Sequence, residues 1–291
     1  MSGSTRLRQL LLDGDFIVAP GAFDCLSARS VELAGFSAIY MTGMGTSASR
    51  LGLPDYGLAT MSEMVVNASA MAASVGIPII ADADTGYGNE LNMARTVYEY
   101  ERHGAAGIHI EDQVFPKKCG HLDKKQVIAR ADFVSKIRVA VKARTSPDFI
   151  IIARTDSNAV LGFDEAIARA NAALEVGADL ALVEAPESAQ QMEEIPRRVY
   201  GPCVLNLLLG GKSPLLALAD IGSLGYRMVL LSDVLLCAAF RAYDTVLATV
   251  RTSRSPLHFE HTMAPKEIFQ RLDAEKWDRL RNEPSLVARA S

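Results

Sequence analysis

Ile77-Pro78-Ile79-Ile80-Ala81-Asp82-Ala83-Asp84-Thr85-Gly86-Tyr87-Gly88 is an apolar run that ends in two aspartates and a glycine-rich turn. A short stretch of branched apolar side chains closed by turn residues reads as a strand buried on both faces, so residues 77–83 are predicted as a strand. Working outward, residues 91–103 carry apolar side chains at helical spacing and stop at Gly104. A helix exit favours such a residue because it tolerates left-handed geometry. Gly76 punctuates the chain in the same way just before the strand.

The same unit recurs along the chain. Strands are predicted at 16–20, 38–42, 107–111, 149–154, 180–185, 203–207 and 228–232, with helices such as 163–176 between them and Gly35, Gly177 and Gly225 at further helix exits. Helical crossovers impose parallel strands. Eight β-then-α units close into an α/β (β/α)8 TIM barrel. An open doubly wound sheet is the alternative, disfavoured because no G-x-G-x-x-G follows the first strand. The barrel, with its last helix at 234–251, takes residues 1–253. A break at 252–256 leads into a C-terminal helical extension, 254–291, where 265–281 are predicted as one amphipathic helix carrying the only Trp, Trp277.

Composition narrows the functional classes. The chain has 291 residues, 49% hydrophobic and 22% charged, enough for a large core. A net charge of -4 with interspersed signs gives no basic patch for nucleic acid. No apolar run is long enough to span a bilayer, and residues 1–12 lack the apolar core of a secretory signal. Cys25, Cys119, Cys203 and Cys237 form neither a C-x-x-C pair nor a disulfide framework, so a reduced cytoplasm is the expected compartment.

Active sites of such barrels lie at the C-terminal ends of the strands, and polar residues collect there. Strand three ends in Asp82 and Asp84, two carboxylates at alternate positions, predicted to share one face. Like charges so placed repel unless one takes a proton or a cation sits between them. Hard oxygen ligands favour Mg²⁺ or Mn²⁺; helix-capping or salt-bridged aspartates are the plainer reading. Strand two ends in Thr42-Gly43-Met44-Gly45, whose backbone N–H groups suit an anion. Strand four ends in His109-Ile110-Glu111-Asp112-Gln113, strand five in Arg154-Thr155-Asp156, strand six in Glu184, strand seven near Asn206 and strand eight in Ser232-Asp233. Arg154 reads as a carboxylate clamp. Asn206 offers neutral hydrogen bonds to a substrate oxygen. The loop after strand four, Val114-Phe115-Pro116-Lys117-Lys118-Cys119-Gly120-His121-Leu122, has the polarity and irregularity of a closing lid. Two lysines and His121 beside Cys119 make an electropositive setting, expected to favour thiolate. Gly210-Gly211-Lys212-Ser213 lacks the spaced first glycine of a phosphate loop and reads as a turn and helix start.

Taken together, Thr42-Gly43, Asp55, Asp82-x-Asp84-x-Gly86-Tyr87-Gly88, Glu111-Asp112-Gln113, Lys117-Lys118-Cys119-Gly120-His121, Arg154-Thr155-Asp156 and Glu184 resemble the isocitrate lyase and phosphoenolpyruvate mutase superfamily over nearly the whole chain. The Cys-containing loop and the short length resemble its short lyase branch: 2-methylisocitrate lyase, 2,3-dimethylmalate lyase and oxaloacetate hydrolase. The resemblance implies Mg²⁺ held by Asp82 and Asp84, with Asp55 and Glu111 reaching it through waters. It also implies substrate binding by Thr42, Gly43, Met44, Arg154, Asn206 and Ser232, and a catalytic set of Cys119, His121, Arg154 and Glu184. It further implies a homotetramer, a dimer of dimers that exchanges the helix after strand eight.

The implied reaction is carbon–carbon lysis of a 2-hydroxy di- or tricarboxylate to a 2-oxo acid such as pyruvate plus a carboxylate. Cys119 protonates the departing carbanion. The alternative is hydrolysis of oxaloacetate to oxalate and acetate. Ser232 favours the hydrolase, since methylisocitrate and dimethylmalate lyases resemble one another in having Pro there; a helix N-cap would also explain it. The apolar Leu207-Leu208-Leu209 stretch favours the dimethylmalate type. A phosphonate hydrolase and a non-catalytic binding barrel are disfavoured by Cys119 and the paired aspartates.

Overall fold

A computed structural model describes residues 1–253, 259 and 263–282. The chain forms two compact units, Met1–Ala238 and Ala239–Ser291. In the first, eight parallel strands close into a barrel in sequence order: β1 Ile17–Ala22, β2 Ile39–Met41, β3 Ile79–Asp82, β4 Gly107–Glu111, β5 Ile150–Thr155, β6 Leu180–Val183, β7 Cys203–Leu207 and β8 Met228–Leu231. The ring is sealed where β1 pairs with β8, Ile17 opposite Met228 and Pro20 opposite Leu231. Helix α1 (Gly3–Asp13) precedes the barrel, and a long helix, α2 (Val234–Thr252), follows β8. The crossovers between strands are helical, as at Met61–Ser74, Glu90–Arg102, Arg130–Ala143 and Phe163–Glu175.

Alternation along the strands builds the interior. Ile17 and Ala19, Ala38 and Tyr40, Ile150 and Ile152, Leu180 and Leu182, and Met228 and Leu230 form one buried cluster. Continuing each series by two reaches Arg154 on β5, Glu184 after β6 and Ser232 after β8. The same period therefore places apolar side chains below and polar ones at the mouth. Leu7 of α1, fully buried, joins the lower part of this cluster. Leu7→Ala would leave a cavity costing roughly 2–5 kcal/mol. The glycine exits hold at Gly35, Gly104, Gly177 and Gly225, all with positive φ; Gly76 has an ordinary backbone.

Two expectations about helices are corrected. The predicted helix 265–281 is two helices, α3 (Pro265–Arg271) and α4 (Ala274–Asn282), because Asp273 adopts φ 58 and breaks the ladder. No helix starts at Gly210–Ser213; the next one is Leu218–Ser223. Of the predicted break at 252–256, residues 254–256 lie outside the described residues, as does most of 254–262. Among the described residues no helix is long and apolar enough to cross a membrane.

Candidate active site

One pocket at the mouth is lined by Tyr40, Thr42, Met44, Asp55, Asp82, Cys119, Gly120, Arg154, Glu184, Asn206, Leu208 and Ser232. Most of the predicted substrate and catalytic residues thus converge, while Gly43, Asp84, Glu111 and His121 stand behind them. Gly43 donates its N–H to Asp82 Oδ2 at 3.2 Å, and a Cβ there would lie 2.3 Å from that oxygen, so close approach requires glycine. Thr42 caps the short turn Gly43–Thr46 by accepting from Gly45 N.

The two aspartates reach the site differently from expectation. β3 ends at Asp82, and Asp84 lies in the turn beyond it at φ 46, a left-handed conformation costly for a non-glycine residue. Strand alternation therefore does not align them. Asp82 meets Tyr40 Oη at 3.3 Å and His109 Nε2 at 3.3 Å, and Tyr40 Oη lies 2.6 Å from that same His109 nitrogen. Burial opposes charge on Asp82, but His109, Lys117 and Arg154 outweigh it and hold its carboxyl at about 2. Burial pulls the His109 imidazole below its ordinary range, against the opposing charge of Asp82. Burial lifts Asp84 to about 7 against the pull of Lys117, with Asp82 and Asp55 adding.

Lys117 departs most from its sequence reading. Its ammonium is buried and lies 2.5 Å from Asp55 Oδ1 and 2.9 Å from Asp84 Oδ1. It therefore tethers the lid to the acidic residues instead of facing Cys119. The expectation of a thiolate falls with it: burial pushes the Cys119 thiol up, outweighing the backbone hydrogen bond from His121. A half-buried thiol whose pKa is raised suits an acid better than a nucleophile.

The fit of the acidic set to a cation rests on buried carboxylate oxygens that the protein's own cations do not fully satisfy. Asp84 Oδ1 faces Lys117 and Glu111 Oε2 faces Arg154, whereas Glu111 Oε1 and Glu184 Oε2 are buried without a hydrogen bond. Buried polar atoms are rarely left so, and hard carboxylate oxygens suit a divalent cation with water among its ligands. Asp82, Asp84, Asp55 and Glu111 therefore fit the group, though among the described residues no three such groups form a ready-made metal cage.

The lid is pinned at several points. Gln113 and Val127 bridge its base. The Gln113 side chain donates to Lys118 O at 2.7 Å and accepts from Lys118 N at 3.0 Å, fixing the backbone next to Cys119. Lys125 Nζ donates to Gly120 O and lies 3.0 Å from Asp156 Oδ1. Asp156 in turn takes Arg154 Nε at 2.9 Å and Nη2 at 3.2 Å. Arg154 also stands 3.4 Å from Glu111 and 3.4 Å from Glu184. A Cβ on Gly120 would meet Arg154 Nη2 at 2.2 Å, so glycine lets the lid descend onto the arginine. Asp112 accepts from Thr155 Oγ1, Asp156 N and Arg169 Nη1, a buried anchor for the start of the loop.

Ser232 is no helix cap. Its hydroxyl donates to Asn206 Oδ1, which turns the Asn206 amide to donate to Glu184 Oε1 at 2.9 Å. Burial opposes charge on Glu184, yet Arg154 and His121 hold its carboxyl below the usual range. Of the apolar stretch after Asn206, Leu208 lines the pocket, Leu207 belongs to the sheet–helix core and Leu209 is 53% exposed. Sequence reading missed Tyr40, whose signal was its in-facing position two residues after Ala38. It also missed Lys125, which in Asp123-Lys124-Lys125 looks like any solvated charge run.

A family model described as phosphoenolpyruvate phosphomutase matches residues 7–251. The chain belongs to the phosphoenolpyruvate mutase and isocitrate lyase superfamily. Within this superfamily it is 45% identical over 242 residues to 2,3-dimethylmalate lyase of Eubacterium barkeri, covering 83% of this chain and 84% of that protein. It is 42% identical over 244 residues to 2-methylisocitrate lyase of Aeropyrum pernix, covering 84% of this chain and 78% of that one. The solved structure of oxaloacetate acetylhydrolase with 3,3-difluorooxalacetate superposes with TM-score 0.93 at 38% identity, covering 97% of this chain and 96% of that chain. Phosphonopyruvate hydrolase with oxalate and Mg²⁺ superposes with TM-score 0.88 at 32% identity, covering 97% and 99%. The chain is thus a superfamily enzyme of the lyase or hydrolase kind.

Proposed function

We propose that this enzyme cleaves the C2–C3 bond of a C4 dicarboxylate oxygenated at C2, and that oxaloacetate, reacting as its hydrate, fits the site best. The observation that carries the choice is the chain Ser232–Asn206–Glu184. Because Ser232 spends its proton on Asn206, its lone pairs are left to accept from a substrate hydroxyl. A hydrated keto group brings two hydroxyls, one for Ser232 and one for Glu184. A 2-hydroxy acid with an alkyl group at C2 would bring no second hydroxyl for Ser232 to accept, and sites built to pair a hydroxyl discriminate against analogues that lack it. The similarity to 2,3-dimethylmalate lyase supports a second reading, lysis of a 2-hydroxy acid by the same bond cleavage.

A divalent cation, Mg²⁺ or Mn²⁺, would be held by Asp82 and Asp84 with Asp55 and Glu111 beside them, and would supply Lewis-acid polarisation of the substrate's oxygens. The other tasks fall to side chains and backbone. Thr42 and Arg154 bind carboxylates, Gly43 N–H being taken by Asp82, and Met44 and Leu208 wall the pocket. Glu184, held ionised by Arg154 and His121, takes the proton of one C2 hydroxyl. The C2–C3 pair then moves to C3, where the adjacent carboxylate and Arg154 spread the charge. Cys119 gives its proton to C3 and becomes thiolate. The C2 carbonyl forms as the bond breaks, so the fragments are hydrogen oxalate, which gives its remaining hydroxyl proton to solvent, and acetate; the proton on Glu184 restores the thiol through solvent. The closed lid keeps water away from C3 during this step.

Product analysis tests the reading. Incubation with Mg²⁺ and oxaloacetate, 2,3-dimethylmalate or 2-methylisocitrate should give oxalate plus acetate from the first as the fastest reaction. Faster release of pyruvate, with propionate or succinate, would favour the second reading. Ser232→Pro should lower the oxaloacetate rate more than any lysis rate.

A further inference from the structure

The Gly210-Gly211-Lys212-Ser213 segment, which no substrate role has absorbed, meets the lid directly. Lys212 donates its backbone N–H to His121 Nδ1 at 3.0 Å, and its Nζ lies 2.6 Å from Asp123 Oδ1. A Cβ on Gly211 would lie 2.6 Å from His121 Nδ1 and 2.9 Å from Cε1. Gly211 is outside the left-handed region, so close approach demands glycine there, first to His121 and then to Leu208 Cβ at 3.1 Å. The segment itself is anchored, since Leu209 N donates to both oxygens of Asp233 at 3.1 Å.

A nitrogen that accepts a hydrogen bond carries no proton. The neutral His121 ring must then bear its proton on Nε2, which lies 3.3 Å from Glu184 Oε1. The two contacts of Lys212 are not equal. The Asp123 side chain is 83% exposed, so its pair with Nζ is screened by water and contributes little. The His121 side chain is 7% exposed, so a hydrogen bond to its ring is sheltered.

We propose that the Lys212 backbone amide is a latch that positions His121: it selects the Nε2–H tautomer facing Glu184 and holds the lid, with Cys119, shut over the pocket. Gly211 is the condition for its approach, and Lys212 is a positioning residue that touches no substrate. The proposal rests on the reading that the lid delivers Cys119 to the substrate, but the tautomer and the closure are independent of which substrate reacts.

The test uses the full chain as wild type, Gly211→Ala and Asp123→Asn, with melting curves to check folding. Long-range ¹H–¹⁵N spectra report which His121 nitrogen carries the proton, and mass spectrometry follows iodoacetamide labelling of Cys119. Wild type should show the Nε2–H tautomer. Gly211→Ala should lose it and label Cys119 about tenfold faster, as loss of one sheltered hydrogen bond plus a steric contact implies. Its kcat should fall more than its KM changes. Asp123→Asn should match wild type in spectrum and labelling, with turnover within about twofold. A wild-type ring protonated on Nδ1 overturns the latch even if Gly211→Ala does not fold. So does wild-type labelling in a folded Gly211→Ala, or an Asp123→Asn variant that opens equally. If wild type turns over no member of the substrate panel, the functional reading fails while spectra and labelling still judge the latch.

Discussion

Lys117→Met isolates the most heavily charged part of the site. Lys117 Nζ lies 2.5 Å from Asp55 Oδ1 and 2.9 Å from Asp84 Oδ1, and the lysine is 2% exposed. Methionine keeps much of the volume and removes the charge. Removing one partner of a buried ion pair leaves the other uncompensated and costs about 3–5 kcal/mol. At roughly 2–4 °C per kcal/mol for a domain of this size, melting in EDTA should fall by about 6–20 °C. Mg²⁺ should then stabilise the variant more than wild type, because a bound cation becomes the missing counter-charge. Lys117→Arg should recover part of the loss. The assay is thermal unfolding followed by circular dichroism, with and without Mg²⁺. A Lys117→Met protein that melts within about 2 °C of wild type in EDTA would show that the ammonium is not the counter-charge of these carboxylates.

Other expectations follow from the same contacts. Burial raises the Cys119 thiol, so its iodoacetamide labelling in substrate-free enzyme should rise with a midpoint above the ordinary thiol value of about 8.5. In stability terms, a raised acid favours the fold below the unfolded thiol pKa, and that contribution fades as pH climbs through the folded value. A labelling midpoint below neutrality would refute the raised thiol. Gly120→Ala places a Cβ 2.2 Å from Arg154 Nη2 and should cut kcat about 10²-fold with the melting curve little changed; unchanged kcat would mean the lid need not close so far. Helix α2 exposes Phe240, Tyr243 and Leu247 at 54%, 60% and 65% in the single chain. We expect a second copy to cover this face, within a homotetramer. Light scattering should then show smaller species for Leu247→Glu, whereas a monomeric wild type would end that expectation.

The barrel was legible because its signals are local and repeated. Each strand is a short branched apolar run, and glycine marks the helix exits at Gly35, Gly104, Gly177 and Gly225. The rule that barrel sites lie at the C-terminal ends of strands then carried the reading to Arg154 and Glu184. Three things were not legible. Asp84 lies past the strand in a left-handed turn, so strand period could not place it. Lys117 looked like a neighbour of Cys119, but a four-carbon stem lets its charge act elsewhere, on Asp55 and Asp84. The Asp273 break depends on one backbone angle inside a sequence with good helical spacing. Ser232 lay between, its position readable and its partner Asn206 visible only in three dimensions.

On the proposed chemistry a closed lid brings the Cys119 proton to the carbanion formed at the barrel mouth. Turnover of Cys119→Ser, measured alongside its affinity for oxalate, isolates that proton. Serine keeps the shape and a hydroxyl but is a far weaker acid. Oxalate affinity should stay within a few-fold of wild type while turnover falls by about 10²–10⁴-fold. Turnover close to wild type with intact oxalate binding would contradict the account.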